Sequence, residues 1–176
     1  LQISTSKYNT YFLVSTTNPY FTEDGVSRSF ALSHRSSKPY VEQGGDYRLI
    51  TESAALNFGI PLSELDRVFT GVGIEQTEIV PGTNLPASYL AYANTFGYTT
   101  KTVPLSFGWA RDSRDSYLNP SKGNLMRFNS DMGVVGDTRY IRMGSQYQQY
   151  VPLTKQYNFA FNADLGMGKG LQNQPY

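Results

Sequence analysis

The chain of 176 residues has no cysteine, a single histidine and a single tryptophan. Without cysteine there is no disulfide framework, no thiolate-held zinc and no thiol nucleophile. One histidine excludes His-rich metal centres. Charge of one sign is lacking too: 15 basic residues against 14 acidic ones leave a formal net charge of +1, so no long-range field points to nucleic acid. No stretch approaches the roughly 20 apolar residues that a membrane-spanning helix needs. Helix-forming runs of Ala, Leu, Glu and Lys are nearly absent, and a mean hydropathy of −0.41 superficially suggests a soluble protein. Neither a basic nor an apolar leader segment follows Leu1, and the expectation is that any secretion signal has been removed.

What is abundant is aromatic and glycine: 14 Tyr, 10 Phe and 16 Gly. That balance suits an all-β chain. Period-two alternation is clearest in "QYNFAFNADLGMG", where Tyr157, Phe159, Phe161, Ala163, Leu165 and Met167 oppose Asn158, Ala160, Asn162, Asp164, Gly166 and Gly168. Elsewhere Val103, Leu105, Phe107 and Trp109 oppose Ser106, Gly108, Ala110 and Asp112. Met126, Phe128, Met132 and Val134 oppose Arg127, Asn129 and Asp131. Val68, Thr70, Val72 and Ile74 alternate with Phe69, Gly71, Gly73 and Glu75, and Ala54, Leu56, Phe58 and Ile60 with Ala55, Asn57 and Gly59. Ile141, Met143, Tyr147 and Val151 oppose Arg142, Gly144, Gln146 and Gln148. With "YNTYFLVSTT" and "VSRSFALSHR" this predicts about eight long strands, plus a remnant at "LQISTS".

Short links marked by Pro or Gly ("NPYFTEDG", "PLSELD", "DSYLNPSKG", "PLTKQY") alternate with more variable ones ("SSKPYVEQGGD", "IVPGTNLPASYLAYANTFGYTT", "VGDT"). The pattern predicts an antiparallel up-and-down meander, part of a transmembrane β-barrel or a small closed version of one. No linker or change of composition divides the chain, so residues 1–176 read as one barrel segment without periplasmic substrate-collecting domains.

Alternation alone does not say which face points outward. A soluble barrel would be apolar inside, and a membrane barrel is apolar outside. Burying Asn129, Asp131, Arg142, Gln146, Asn162 and Asp164 in a dry core would cost about 1–3 kcal/mol per unsatisfied group. A wet lumen accepts them, and these six are the expected lumen-facing residues. The expected lipid-facing residues are Leu56, Phe58, Val72, Phe107, Trp109, Phe128, Phe159, Phe161 and Leu165. Their faces stay apolar for about 9–11 residues, the length of a bilayer-crossing strand. Tyr20, Phe21, Tyr117, Tyr150 and Tyr157 gather at strand ends, as rings do at a membrane–water interface.

Chemistry-bearing motifs are weak. His34 stands beside Arg35 at a strand end, with no carboxylate at metal-ligand spacing, and Ser33 points to the opposite strand face, which rules out a dyad. "RDSRDS" lacks the pattern of a calcium loop; the expectation is that Asp112 faces the lumen while Arg114 and Asp115 are solvated. "GMGKG" lacks phosphate-loop spacing and reads as strand glycine. No catalytic, metal or cofactor site is expected, and no enzymatic activity.

"TNPYFTEDGVS", with Asn18, Pro19, Tyr20, Phe21, Asp24 and Gly25, resembles a periplasmic turn in the barrel of the BamA family of outer-membrane protein assembly factors. "FGIPLSELDRV", "FGWARDSRDSYLNPSKGNLMRF", "YQQYVPL" and "GMGKGLQNQPY" resemble further segments of that barrel, in family order. The resemblance implies an internal portion of a 16-stranded barrel in the bacterial outer membrane, from a machine that folds and inserts other barrel proteins without ATP. It implies lipid or detergent around the chain, and assembly-machinery lipoproteins and unfolded barrel substrates as partners of the parent protein. It implies no nucleic acid. It also implies open sheet edges available for pairing between chains, and Pro/Gly turns on the periplasmic side. The family's Val-Arg-Gly-Phe loop motif has no counterpart here, and no residue is carried over for it. Two-partner secretion transporters and the translocation-assembly factor are siblings that share this superfamily. An autonomous small barrel acting as a pore or structural protein is the alternative, and a soluble lipid-binding barrel a third.

Overall fold

In a computed structural model, which describes residues 1–38, 47–83, 85–154 and 157–171, nine strands form one antiparallel sheet in chain order. They are β1 (Gln2–Thr5), β2 (Asn9–Asn18), β3 (Ser27–Ser37), β4 (Arg48–Pro61) and β5 (Asp66–Val80), followed by β6 (Thr99–Asp112), β7 (Gly123–Gly136), β8 (Tyr140–Pro152) and β9 (Asn158–Gly170). Each strand pairs with the next, and β1 is not paired with β9, so the sheet is open. The remnant at the start is β1, four residues long. The expected strands are all present, but β4 to β6 run 14 or 15 residues, past the segments in which alternation is clean. Parts of four segments read from the sequence, at residues 39–46, 84, 155–156 and 172–176, lie outside the described residues.

No side chain among the described residues is fully enclosed, and Tyr47, Ile79, Ala93 and Leu125 are the buried apolar residues. A soluble sheet of this size would need a covering layer, since a sheet must bury its apolar face against something. Three of those four residues belong to a small cluster at the far end of β4 and β5. There the β5–β6 connection forms a helix that alternation did not reveal, α1 (Ala87–Phe96). Tyr47 stacks near Tyr89 with ring centroids 5.1 Å apart, and the Tyr92 hydroxyl lies 3.3 Å from Thr100 Oγ1. Pro86 precedes the helix, and Gly97, at φ 87°, follows it and donates its N–H to the Ala93 carbonyl at 2.8 Å. Pro before and Gly after is a readable helix frame. The run between has no acidic first turn and no basic last turn, and the sequence reading took it for part of a long link.

Register is regular except at one place. Val103 pairs with Val135 and Pro104 with Gly133, leaving Val134 unmatched. Val135, rather than the expected Val134, therefore continues the apolar face of Met132. Pro104 has no N–H to give the ladder, and prolines inside sheets are tolerated at such bulges. Just beyond, Gly136 takes φ 121°, and a Cβ there would collide with the backbone carbonyl of Lys101.

Gly136→Val should therefore lower folded stability by about 1–3 kcal/mol. The check is the urea midpoint of the folded, fast-migrating band on unheated gels after reconstitution in lipid. Gly166→Ala, where the nearest atom to an added Cβ is 4.0 Å away, should leave that midpoint unchanged.

Candidate membrane interface

Residues directly paired across an antiparallel ladder share a face, so register decides which side chains meet. Leu56 pairs with Val72, and Val72 with Leu105. Phe58 pairs with Thr70, and Thr70 with Phe107. Trp109 pairs with Phe128, and Ser145 links Phe128 to Leu165. Phe161 and Phe159, opposite Gln149 and Val151, close the series on β9. The nine apolar residues singled out from the sequence thus fall on one face. Five of them stand open to the surroundings, with Leu165 74% exposed and Val72, Phe107, Phe159 and Phe161 exposed as well, while Leu56, Phe58, Trp109 and Phe128 are half-buried among their neighbours.

The opposite face collects the six polar residues. Asp131 pairs with Arg142 and Gln146 with Asp164, while Gln148 opposes Asn162 and Gly144 opposes Asn129. Asn162 Nδ2 donates to Asp164 Oδ2 at 2.7 Å, and Arg142 Nη2 donates to the Tyr140 hydroxyl at 3.1 Å. Small residues let this face crowd inward. At Gly71, between Asn57 and Ser106 in register, an added Cβ would strike both side chains. Phe69 breaks the polar pattern and lies over Gly59 and Gly108, whose bare backbones leave room for its ring.

The four short links lie at one end of the sheet. In the first, Asn18 Oδ1 accepts the Tyr20 N–H at 3.1 Å, Thr22 Oγ1 accepts the Val26 N–H at 3.3 Å, and Gly25 takes φ 79°. These bonds do the turning without using either ring. Tyr20 is 79% exposed, while Phe21 is clamped between the Arg28 guanidinium, 4.2 Å from its centroid, and Phe58 at 6.3 Å. Tyr117, Leu118, Leu153 and Tyr157 are likewise exposed at this end, whereas Tyr150 is half-buried.

The link between β6 and β7 corrects one expectation. Arg114 is not solvated: its side chain is only 9% exposed, and it holds Asp112 through Nε–Oδ1 at 2.9 Å and Nη2–Oδ2 at 2.7 Å. A bidentate guanidinium–carboxylate pair explains this withdrawal from solvent. Asp115 is exposed as expected, yet it organises the turn, accepting the N–H groups of Ser121 and Lys122 at 2.8 and 3.2 Å and the Ser121 hydroxyl. These bonds favour the carboxylate and lower its pKa to about 2.

His34 has a partner that sequence spacing concealed. Its Nδ1 lies 3.1 Å from Glu52 Oε1, directly across the β3–β4 ladder. The Ser33 hydroxyl turns the other way, to Ser53 at 2.8 Å, so no dyad forms. No cluster of metal-ligating side chains occurs among the described residues.

A meander with one exposed apolar face, one polar face and short turns at one end defines a length of transmembrane β-barrel wall. The model of the Omp85 superfamily domain matches residues 1–175, and the chain belongs to that superfamily of outer-membrane β-barrels. It is 27% identical over 184 residues to the outer membrane protein assembly factor BamA of Neisseria meningitidis serogroup B (strain ATCC BAA-335 / MC58), a match covering 97% of this chain and 23% of that protein. The chain thus spans about a quarter of that relative's length. Among solved structures it resembles BamA from Haemophilus ducreyi lacking POTRA domains 1-3, with a TM-score of 0.84 and 20% identity, over 97% of this chain and 35% of that one. That likeness concerns the fold, and it fits an open sheet that is one stretch of a larger barrel wall.

Because the Asp115 pKa is depressed, its contribution to the turn is complete above the ordinary carboxylate value of 3.8 and fades as pH falls through about 2. Amide exchange at Ser121 and Lys122 should accordingly accelerate, relative to intrinsic rates, between about pH 4 and pH 2. In Asp115→Asn that acid-dependent loosening should be absent.

Proposed function

We propose that this chain forms part of the barrel wall of an outer-membrane protein assembly factor, whose parent machine folds other β-barrel proteins and inserts them into the outer membrane. The observation that carries the reading is the likeness to the Neisseria BamA along nearly the whole chain, within a superfamily match of the same extent. In this reading the apolar face, including Leu56, Phe58, Val72, Phe107, Trp109, Phe128, Phe159, Phe161 and Leu165, lies against lipid. Asn129, Asp131, Arg142, Gln146, Asn162 and Asp164 line a wet lumen. The turn built on Asn18, Pro19, Tyr20, Phe21, Asp24 and Gly25 faces the periplasm, with its rings in the headgroup layer. The wall does no bond chemistry. It supplies a stable hydrogen-bonded rim against which the rest of a barrel closes, and the machine's lipoproteins and unfolded substrates meet the parent protein elsewhere. The passive-pore alternative loses ground because β1 and β9 do not pair into a closed small barrel.

Depleting the protein in its own host should lower several unrelated outer-membrane barrels together and leave their unfolded forms in the periplasm. Loss of solute flux with other barrels unchanged would instead support the pore. The sidedness has its own check. Leu165→Arg should cost about 2–4 kcal/mol of folded stability in bilayers, as cations do on a barrel's lipid face, and Asn162→Arg should cost much less. Equal costs would count against the assignment of faces.

A further inference from the structure

Across β5, β6 and β7, toward the end away from the short turns, the pairing thins along one line. β5 and β6 are in register from Asp66 with Arg111 to Val72 with Leu105, and again from Glu75 with Thr102 to Glu78 with Thr99. Between these stretches Gly73 and Ile74 have no partners on β6. The residues facing the gap are Val103 and Pro104, and Pro104 has no N–H to complete the missing rungs. On its other side Pro104 pairs with Gly133, and the bulge at Val134 follows at once. Gly133, opposite Tyr140, is also the last residue of β7 to pair with β8, so residues 134–136 have no partner there. A proline, a bulge and bare glycines on adjacent strands at one height are the features that let a sheet bend.

The parts on either side of the line are well tied. Beyond it, Glu75, Gln76, Thr77 and Glu78 pair with Thr102, Lys101, Thr100 and Thr99. The Lys101 N–H donates to Asp137 Oδ2, and the Lys101 carbonyl accepts the Asp137 N–H, both at 2.8 Å. Helix α1 joins this outer part through Tyr92 and Thr100. Before the line, and past it, β4 pairs with β5 without a gap, from Pro61 with Arg67 to Arg48 with Val80. β5 is therefore fixed along its length, and the freedom lies in β6 and β7. From this we infer that the line from Gly73 through Pro104 to Gly133 is a hinge, about which the outer ends of β6 and β7, with α1, bend relative to the rest of the wall. The bend acts on the polar face. There a cavity of about 250 Å³ separates Tyr92, Phe96 and Thr102 of the outer part from Arg139, Tyr140 and Arg142. The Tyr140 ring lies over the bare backbone of Gly133, where an added Cβ would be 2.8 Å from it, so this ring marks the inner side of the hinge. Bending inward closes the cavity and bending outward opens it. Two tied bodies meeting at a thinned line define a hinge rather than a frayed loop.

The test is pulsed electron paramagnetic resonance on the full-length protein in lipid bilayers, with spin-labelled cysteine pairs introduced into this Cys-free chain. One pair, Val14→Cys with Val135→Cys, has its β7 member beyond the line; both positions are exposed. The reference pair, Thr16→Cys with Met132→Cys, joins the same two strands before the line, at the ends of one continuous row through Phe30, Leu56, Val72 and Leu105. Each pair spans five strand spacings, about 24 Å along the sheet. The expected distance distribution is about twice as wide for the first pair as for the reference. Pro104→Ala, which supplies an N–H facing Gly73, should narrow the first distribution and leave the reference unchanged. Equal widths with Pro104 in place would overturn the hinge, and so would an unchanged first width in a folded Pro104→Ala protein. If Pro104→Ala does not fold, the comparison of the two pairs with Pro104 in place decides alone. Neither distance depends on assembly activity, so the hinge and the assembly role can fail separately.

Discussion

The structure depends on one constraint: in hydrocarbon, a backbone N–H or carbonyl finds no water, and each must be satisfied by a neighbouring strand. An antiparallel ladder from β1 to β9 meets that demand and at the same time fixes the faces. Because successive side chains alternate, a slip of one residue anywhere would turn Leu165 or Phe128 onto the polar face and Asp164 or Asn129 onto the apolar one. The chain therefore needs very little buried core. Its stability is held in the ladder and in the contrast between two faces, and this is why so few of its residues are buried although it contains many aromatics.

That same contrast made most of the fold readable. Where both faces meet a distinct solvent, selection of side chains is strict and alternation is clean, as in β9. At the ends of β4 and β5 around Arg48 and Val80 the contrast between faces weakens, and the signal is lost although the pairing continues. The helix α1 escaped for a related reason. It rests on a small mixed patch, Tyr47 and Ile79 beside Thr100, rather than on a large apolar core, so it carries no strong apolar stripe, and only Pro86 and Gly97 mark its ends. The shift of the apolar position from Val134 to Val135 is likewise invisible to a period-two reading, since a bulge changes phase without changing composition.

At the level of side-chain sites, the sequence reading did well with turns and poorly with pairs. Asn18 and Gly25 turn the chain by local bonds that follow from their chemistry. By contrast, Glu52 meets His34 across two strands whose connecting residues give no clue to register. Arg114 and Asp112 are close in sequence, but their mutual burial depends on how the link between β6 and β7 folds back, with Ser113 bonded to Asn124. Partnerships across a ladder become legible only when the register is known.

The two ends of the wall are also physically unlike. At the short-turn end, hydrogen-bonded links present Tyr20, Tyr117 and Leu118 outward, a surface suited to lying in headgroups because amphipathic rings and short apolar tips gain there from both media. At the other end the strands outrun the apolar rows and carry a helix, and the apolar face gives way to a row in which His34, Glu52, Gln76 and Lys101 follow Phe12. A barrel wall anchored firmly at one rim and less sharply at the other can tolerate deformation at the second without losing its depth in the membrane.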